Sequence, residues 1–246
     1  MKADHFEQQK LLDLAAEDVA LTQLSHRRRT LPEEAAVQAA VEAERVLAVD
    51  VVRAETEVRD LDREQTRLEA DVETVRQREV KDQKQIDSGS TSAKQITGLQ
   101  HELESLKRRQ SDLEDQVLDL MERREAADAA LAAARDGQQQ ATAHLERAIQ
   151  LRDDALADIA ESTGRHEAAR AGLAGAMEPT LLGLYDRIRT QTGTTGAAQL
   201  KARQCQGCRI ELNGRDLAAV RNADPHEVVR CDNCGRILVR TAESGL

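Results

Sequence analysis

The sequence predicts a mostly α-helical protein: a long bent antiparallel coiled-coil hairpin followed by a small C-terminal β domain. Three observations carry this expectation. Among 246 residues there are one Phe, one Tyr and no Trp, while 33% are charged, which excludes a large aromatic-filled core or a deep catalytic cleft. Two heptad registers separated by one turn cluster run through most of the chain. All four cysteines fall in the tail, as two CxxC pairs.

The elements follow in order. Leu11, Leu14, Leu21 and Leu24 form a helical stripe that ends at Arg27-Arg28-Arg29-Thr30-Leu31-Pro32. Proline is tolerated in the first turn of a helix and breaks one elsewhere, so a break is expected at 30–32. The first register then places Val37, Glu44, Val51, Val58, Gln65, Val72, Glu79 and Ile86 at a. It places Ala40, Leu47, Ala54, Leu61, Leu68, Val75 and Asp82 at d, and eleven of these fifteen positions are apolar. Such spacing gives an apolar seam along one helix face. The seam stops at Asp87-Ser88-Gly89-Ser90-Thr91-Ser92, a turn cluster.

A second register starts at once, with Ile96, Leu103, Gln110, Val117, Arg124, Leu131, Gln138, Leu145, Arg152 and Ile159 at a. Its d positions are Leu99, Leu106, Leu113 and Leu120, then Ala127, Ala134, Ala141, Ala148 and Ala155. The leucine half packs firmly; the alanine half buries little area and is weakened further by Gly137, Gly164, Gly172 and Gly175. Residues 1–178 are therefore read as the hairpin, with its tip near 87–92. A dimer of longer coiled coils is the competing arrangement. Residues 179–246 are read as a short helix, a linker and the cysteine domain. Pro179 opens the amphipathic helix of Leu181, Leu182, Leu184, Tyr185 and Ile188, and Thr190 to Gly196 is a Gly/Thr linker.

The strong chemical signal is Cys205-Gln-Gly-Cys208 followed by Cys231-Asp-Asn-Cys234. Each CxxC folds as a knuckle presenting two thiolates, and two knuckles complete a tetrahedral site for one structural Zn²⁺, held by Cys205, Cys208, Cys231 and Cys234. Gly207 and Gly235 stand where such knuckles turn back. Arg236 to Arg240 reads as a strand able to pair with Val228-Val229-Arg230. This is a zinc-ribbon layout. Structural disulfides are disfavoured in a chain whose first residues show no secretory signal, and a redox CxxC needs a βαβ context that the tail has no room for. Four thiolates leave no open position for water or substrate, which argues against zinc catalysis. His226 is close in sequence but unnecessary as a ligand.

These parts together resemble the bacterial C4-type zinc-ribbon proteins with a long N-terminal coiled-coil hairpin. The likeness rests on the second-arm opening Leu99-Gln-His-Glu-Leu-Glu-Ser-Leu-Lys-Arg-Arg-Gln-Ser-Asp-Leu-Glu114, on the Ser88-Gly-Ser-Thr tip before it, and on the ribbon from Cys205 to Leu238. The resemblance implies a helical hairpin with a zinc ribbon at its base and no known catalytic activity. It also implies an adaptor role; some members are linked to an alternative sigma factor, flagellar gene expression or RNA binding.

Charge qualifies the nucleic-acid expectation. Residues 197–246 carry +2, and residues 1–196 carry −12, which repels a phosphate backbone. Four thiolates around Zn²⁺ bring the ribbon to near neutrality, and it has no aromatic residue on which a base stacks. In favour are the ribbon arginines Arg203, Arg209, Arg215, Arg221, Arg230, Arg236 and Arg240, since Arg forks onto phosphate or guanine edges. The alternative is that they pair with Asp216, Asp224, Glu227 and Asp232. The expected function is a non-enzymatic zinc-binding adaptor, its hairpin engaging a protein and its ribbon contacting RNA or DNA. The alternative is a purely protein-binding scaffold or chaperone. The chain contains no phosphate-cradling loop, nucleophile elbow or His-Glu-x-x-His helix, so no enzyme activity and no small-molecule substrate are expected. With no run of 18 or more apolar residues, no membrane association is expected, and the location expected is the cytoplasm.

Overall fold

The computed structural model describes residues 1–90 and 92–246, and they are mostly helical. In chain order come α1 (His5–Arg29), α2 (Pro32–Asp87), α3 (Ala93–Gly175), α4 (Pro179–Thr192), β1 (Ala197–Lys201), β2 (Gln204–Cys205), α5 (Gly214–Asn222), β3 (Val229–Arg230) and β4 (Ile237–Val239). They form two compact units, residues 35–150 and residues 1–34 with 151–246.

The helix boundaries follow local chemistry. Asp4 caps α1 by accepting the Phe6 N–H at 2.8 Å. The break expected at 30–32 is the α1–α2 junction, where Thr30 closes α1 on the His26 carbonyl and Pro32 opens α2. The expected turn lies between α2 and α3; its Thr91 falls outside the described residues. Ser92 opens α3 with its N–H and hydroxyl on Gln95 Oε1, at 3.1 and 2.7 Å. Glu178 caps α4 through the Thr180 and Leu181 N–H groups, with Pro179 in the first turn.

In the unit of residues 35–150, α2 and α3 run antiparallel. Cross-helix pairs join Arg78 to Glu102 at 2.9 Å, Arg76 to Glu114 at 2.6 Å, Arg124 to Asp62, and Arg135 to Glu55 at 2.7 Å. Partners rise on one helix as they fall on the other. Every a and d residue of both registers within this unit is buried or half-buried. Leu61, Leu120 and Ala127 form one layer, and Val37, Ala40 and Ala148 another. The apolar seam is thus filled within one chain. The exposed ion pairs contribute little energy and serve the register instead. Asp82, the charged d residue, is 1% exposed and is tolerated because Arg78 Nε reaches it at 3.3 Å.

In the other unit, the first half of the α1 leucine stripe faces α4 and a sheet. Leu11 and Leu14 are fully buried against Leu181, Tyr185 and Ile188 of α4 and Ile237 and Val239 of β4. Burying a leucine this completely stabilises by roughly 1.5–3 kcal/mol. The sheet order is β2-β1-β4-β3. The pairing expected of the last strand is present, with Val229 opposite Leu238 and Arg230 opposite Ile237. On its other side β4 carries β1 in parallel, a strand the sequence pattern had not suggested. Chain segments lie against the β2 edge and against the residues just before β3, which limits pairing with another chain there. Lys2 bridges to Glu227 with the Val228 N–H on the Met1 carbonyl at 3.0 Å, and Gln204 bridges to Glu211.

A buried charge cluster fastens the helices of this unit. Asp18 is 0% exposed and accepts from the Tyr185 hydroxyl at 2.6 Å, Arg170 Nε at 2.7 Å and Arg189 Nε at 3.0 Å. Arg170 Nη2 also reaches Asp186 at 2.7 Å. Burial, and then the Asp18 carboxylate, push the Tyr185 phenol far above its ordinary value. Burial works against the Arg170 charge, but the hydrogen bonds to Asp18 and Asp186 outweigh it and hold the guanidinium protonated. Among the described residues no helix is long and apolar enough to cross a membrane.

Candidate metal centre

The two CxxC segments fold as matching knuckles. In the first, the Cys205 carbonyl accepts the Arg209 N–H at 2.7 Å, and the Cys205 N–H donates to the Ile210 carbonyl at 3.1 Å. In the second, the Cys231 carbonyl accepts the Gly235 N–H, and the Cys231 N–H donates to the Arg236 carbonyl, each at 2.8 Å. The fifth residue of each knuckle takes a left-handed backbone, φ 60° at Arg209 and 72° at Gly235. Glycine is the expected occupant there, so Gly235 does what the sequence assigned to it. Gly207 serves a different purpose. A Cβ on it would lie 2.7 Å from Arg236 Cδ and 2.9 Å from Ala198 Cβ. Aligning Cys-Gln-Gly-Cys-Arg with Cys-Asp-Asn-Cys-Gly would have located the left-handed position at Arg209 from the sequence.

The knuckles bring all four thiols together, with every pair of Sγ atoms within 4.8 Å. Cys205 and Cys234 are 3.8 Å apart at sulfur, and Cys208 and Cys231 are 3.9 Å apart. Two thiolates bound tetrahedrally at a Zn–S distance of about 2.3 Å lie about 3.8 Å apart, so the donor set fits zinc in number, type and spacing. Cys205 and Cys231 are buried in the core of Ala198, Leu200, Leu212, Val220 and Leu238, while Cys208 and Cys234 are half-buried at its edge. Burial pushes the Cys205 thiol up to about 12 and raises Cys231 as well. At Cys234 burial also acts upward, yet hydrogen bonds from Arg236 and the neighbouring thiols bring it down to about 7. The protein alone thus does not favour four thiolates in one place; a dication supplies the missing charge. His226 is exposed and stands outside this cluster.

The seven ribbon arginines divide into two groups. Arg240 donates to five backbone carbonyls, those of Val220, Ala223, Asp224, Pro225 and Glu227, at 2.7–3.4 Å. It thereby caps α5 and closes the loop after it. Arg236 ties Thr194 and Thr195 to the second knuckle, Arg230 Nε holds the Gly235 carbonyl at 2.8 Å, and Arg203 Nε reaches the Gly245 carbonyl at 3.3 Å. Among the described residues none of these four makes an ion pair with Asp216, Asp224, Glu227 or Asp232. Asp224 pairs with Lys2 instead, and Asp216 meets Asn213, the cap of α5. Arg209, Arg215 and Arg221 are exposed, as are Arg203 and Arg230, and they form no ion pair among the described residues.

A pair of long antiparallel helices on the same chain as a four-thiol ribbon defines a class, the coiled-coil zinc-ribbon proteins. The model of the CT398-like coiled coil hairpin domain matches residues 14–193, and that of the C4-type zinc ribbon domain matches residues 204–238. The chain belongs to this CT398-like family, and its cofactor is one structural zinc. The uncharacterized protein Rv2229c of Mycobacterium tuberculosis is 42% identical over 241 residues, covering 98% of each chain. The uncharacterized protein ML1638 of Mycobacterium leprae is 30% identical over 221 residues, 89% of this chain and 94% of that one. A solved structure from Mycobacterium smegmatis superposes with a TM-score of 0.83 at 34% identity, over 98% of this chain and 100% of the other. CT398 from Chlamydia trachomatis gives a TM-score of 0.65 at 18% identity, over 96% and 98% of the two chains, a likeness of fold alone.

Proposed function

We propose that the chain is a non-enzymatic adaptor whose ribbon is built round zinc on Cys205, Cys208, Cys231 and Cys234, and whose helical arms engage a protein partner. The observation that supports this most is the closed all-cysteine site. Four thiolates fill a tetrahedral shell, so the metal has no position left for water or substrate, and its role is to hold the ribbon folded. The arms, read as residues 1–178, offer long helical surfaces, and the ribbon of residues 179–246 anchors their open end.

Nucleic-acid contact by the ribbon is the second reading. In favour are Arg209, Arg215 and Arg221, whose side chains are exposed. Arg209 in addition occupies a left-handed position where glycine would be less strained. Against it, Arg236 and Arg240 each spend more than one guanidinium nitrogen on the protein's own acceptors, and Arg203 and Arg230, though exposed, each have Nε held by a ribbon carbonyl, which weakens four of the seven candidate phosphate contacts. The protein-scaffold reading is therefore the stronger one. Affinity capture from native lysate with the full chain, with and without nuclease, tests it. Protein partners that survive nuclease, and survive combined Arg209→Glu, Arg215→Glu and Arg221→Glu, are expected. Partners lost on nuclease treatment and in that variant would move the assignment to RNA or DNA.

A further inference from the structure

We propose that the groove between α1 and the last stretch of α3 docks an amphipathic helix of a partner protein that carries acidic residues along its polar edge. This deepens the adaptor reading above and rests on it. The groove encloses about 790 Å³, and both its walls lie in the unit of residues 1–34 and 151–246.

The sequence explains why the groove stays open. On α3 the wall is built partly from Ala157, Ala160 and Gly164, which have no bulk to reach across to α1. Leu21, Leu24 and Leu156 are therefore left half-exposed around buried Ile159. Leu21, Leu24 and Arg28 recur at i, i+3 and i+7, so they share one helix face. From Leu156 to Glu167 the α3 wall extends about 16 Å at 1.5 Å per residue, the length of about three helical turns. An apolar trough of that length between two ridges is the shape that accepts a helix by its leucine-bearing face.

Charge selects among such helices. Arg28 is exposed at one end of the groove and makes no ion pair among the described residues. Arg189 also lines it, with Nε engaged by Asp18 and the side chain 39% exposed. Glu167 is the one acidic residue of the lining. Arg189 shares its charge with buried Asp18, so the guanidinium of the lining that is left without an acidic partner is that of Arg28. Glu167 stands at the other end of the groove, beside the His166–Glu17 contact, while Arg27 and Arg29 are exposed next to Arg28, so the Arg28 end attracts an acidic ligand and repels a basic one. A nucleic acid fits poorly, because the leucine floor offers nothing to phosphate and the lining has no aromatic ring on which a base stacks.

The test uses the full zinc-loaded chain and a fluorescein-labelled helix-forming peptide with leucines at i, i+3 and i+7 and glutamates between them. A second peptide replaces those glutamates with lysines. Fluorescence anisotropy should show the acidic peptide binding at least about tenfold more tightly than the basic one. Arg28→Glu, on an exposed side chain, should weaken the acidic peptide about tenfold and strengthen the basic one. Leu24→Asn, which removes the apolar contact without adding charge, should weaken both, with an unchanged Tyr185 emission showing that the fold is intact. Equal affinity for the two peptides, affinity untouched by both substitutions, or no binding of either peptide overturns the proposal. If the peptides fail while nuclease-resistant capture persists, the groove assignment falls and the adaptor reading stands. If both fail, both fall.

Discussion

Asp18→Asn removes the charge on which one tyrosine and two arginines converge, at nearly constant volume. The structure sets the magnitude. Asp18 is 0% exposed, so its carboxylate is held entirely by protein donors, at 2.6–3.0 Å. Breaking a buried pair from one side generally costs about 3–5 kcal/mol. Here the stranded cations have an escape, since Arg170 is 20% exposed and Arg189 39% exposed, and both can turn partly to water. Tyr185 is fully buried and has no such escape; an amide oxygen is a weaker acceptor for its hydroxyl. The lower end, about 3 kcal/mol, is expected. Tyr185 is the only tyrosine and no tryptophan is present, so its fluorescence reports on this core and nothing else. With a urea slope of about 1–3 kcal/mol per M, the loss shifts the Tyr185-detected midpoint downward by about 1–3 M. A midpoint unchanged by the substitution would refute the claim that this cluster fastens α1 to α3 and α4.

Three further outcomes are expected. Cys231→Ser should abolish stoichiometric zinc, measured by metal analysis, and unfold the ribbon while far-UV circular dichroism retains the signal of α2 and α3; zinc kept at full stoichiometry would overturn the four-cysteine assignment. Arg240→Met should leave five carbonyls without their shared donor, cost about 1–3 kcal/mol, and open residues 220–227 to proteolysis, read by mass spectrometry of the cleavage sites. The hydroxyl of Thr180, followed by the N–H groups of Thr180 and Leu181, holds the Glu178 carboxyl below its ordinary value. A depressed carboxylate contributes stability above its unfolded-state value and loses it as pH falls through the folded-state value. Tyr185-detected stability should therefore fall on acidification below about pH 4.5, and less steeply in Glu178→Gln; identical slopes would show that the cap contributes nothing.

Much of the hairpin was legible because its signal is periodic. The a and d residues from Val37 to Ile86 and from Ile96 to Ala148 all lie in the seam, including charged Asp82, since heptad position outweighs the chemistry of one residue. The cysteines were legible because a C4 site has a fixed local spacing. What escaped is non-local. The leucine stripe of α1 gave a helix but no hint that Leu11 and Leu14 face β4. Asp18, Arg170, Tyr185 and Arg189 look like ordinary surface charges and one aromatic until three helices bring them together. The ribbon arginines are alike in sequence, yet Arg240 is spent on carbonyls and Arg221 is exposed. Helix α5 does carry a local signal, Asn213 with Asp216 three residues on, the pattern of a capped first turn.

The chain order of the two units has a kinetic consequence. Residues 35–150 are inserted, in sequence, within the other unit. The Asp18–Arg170 contact spans 152 residues and the Ala3–His226 pairing spans more, so this unit alone would be a slow, high-contact-order folder. The insert needs only neighbouring contacts to zip from its turn outward, and it ends with Val37 and Ala40 against Ala148. Once zipped, it short-circuits most of the intervening chain. The loop that Asp18 must close shrinks several-fold, which lowers the entropic cost of closure by about 1 kcal/mol. During synthesis α1 leaves the ribosome long before the strands it covers exist. The hairpin works as a splint through that interval, holding Val37 and Ala40 against Ala148 until the cysteines emerge and metal sets the last fold.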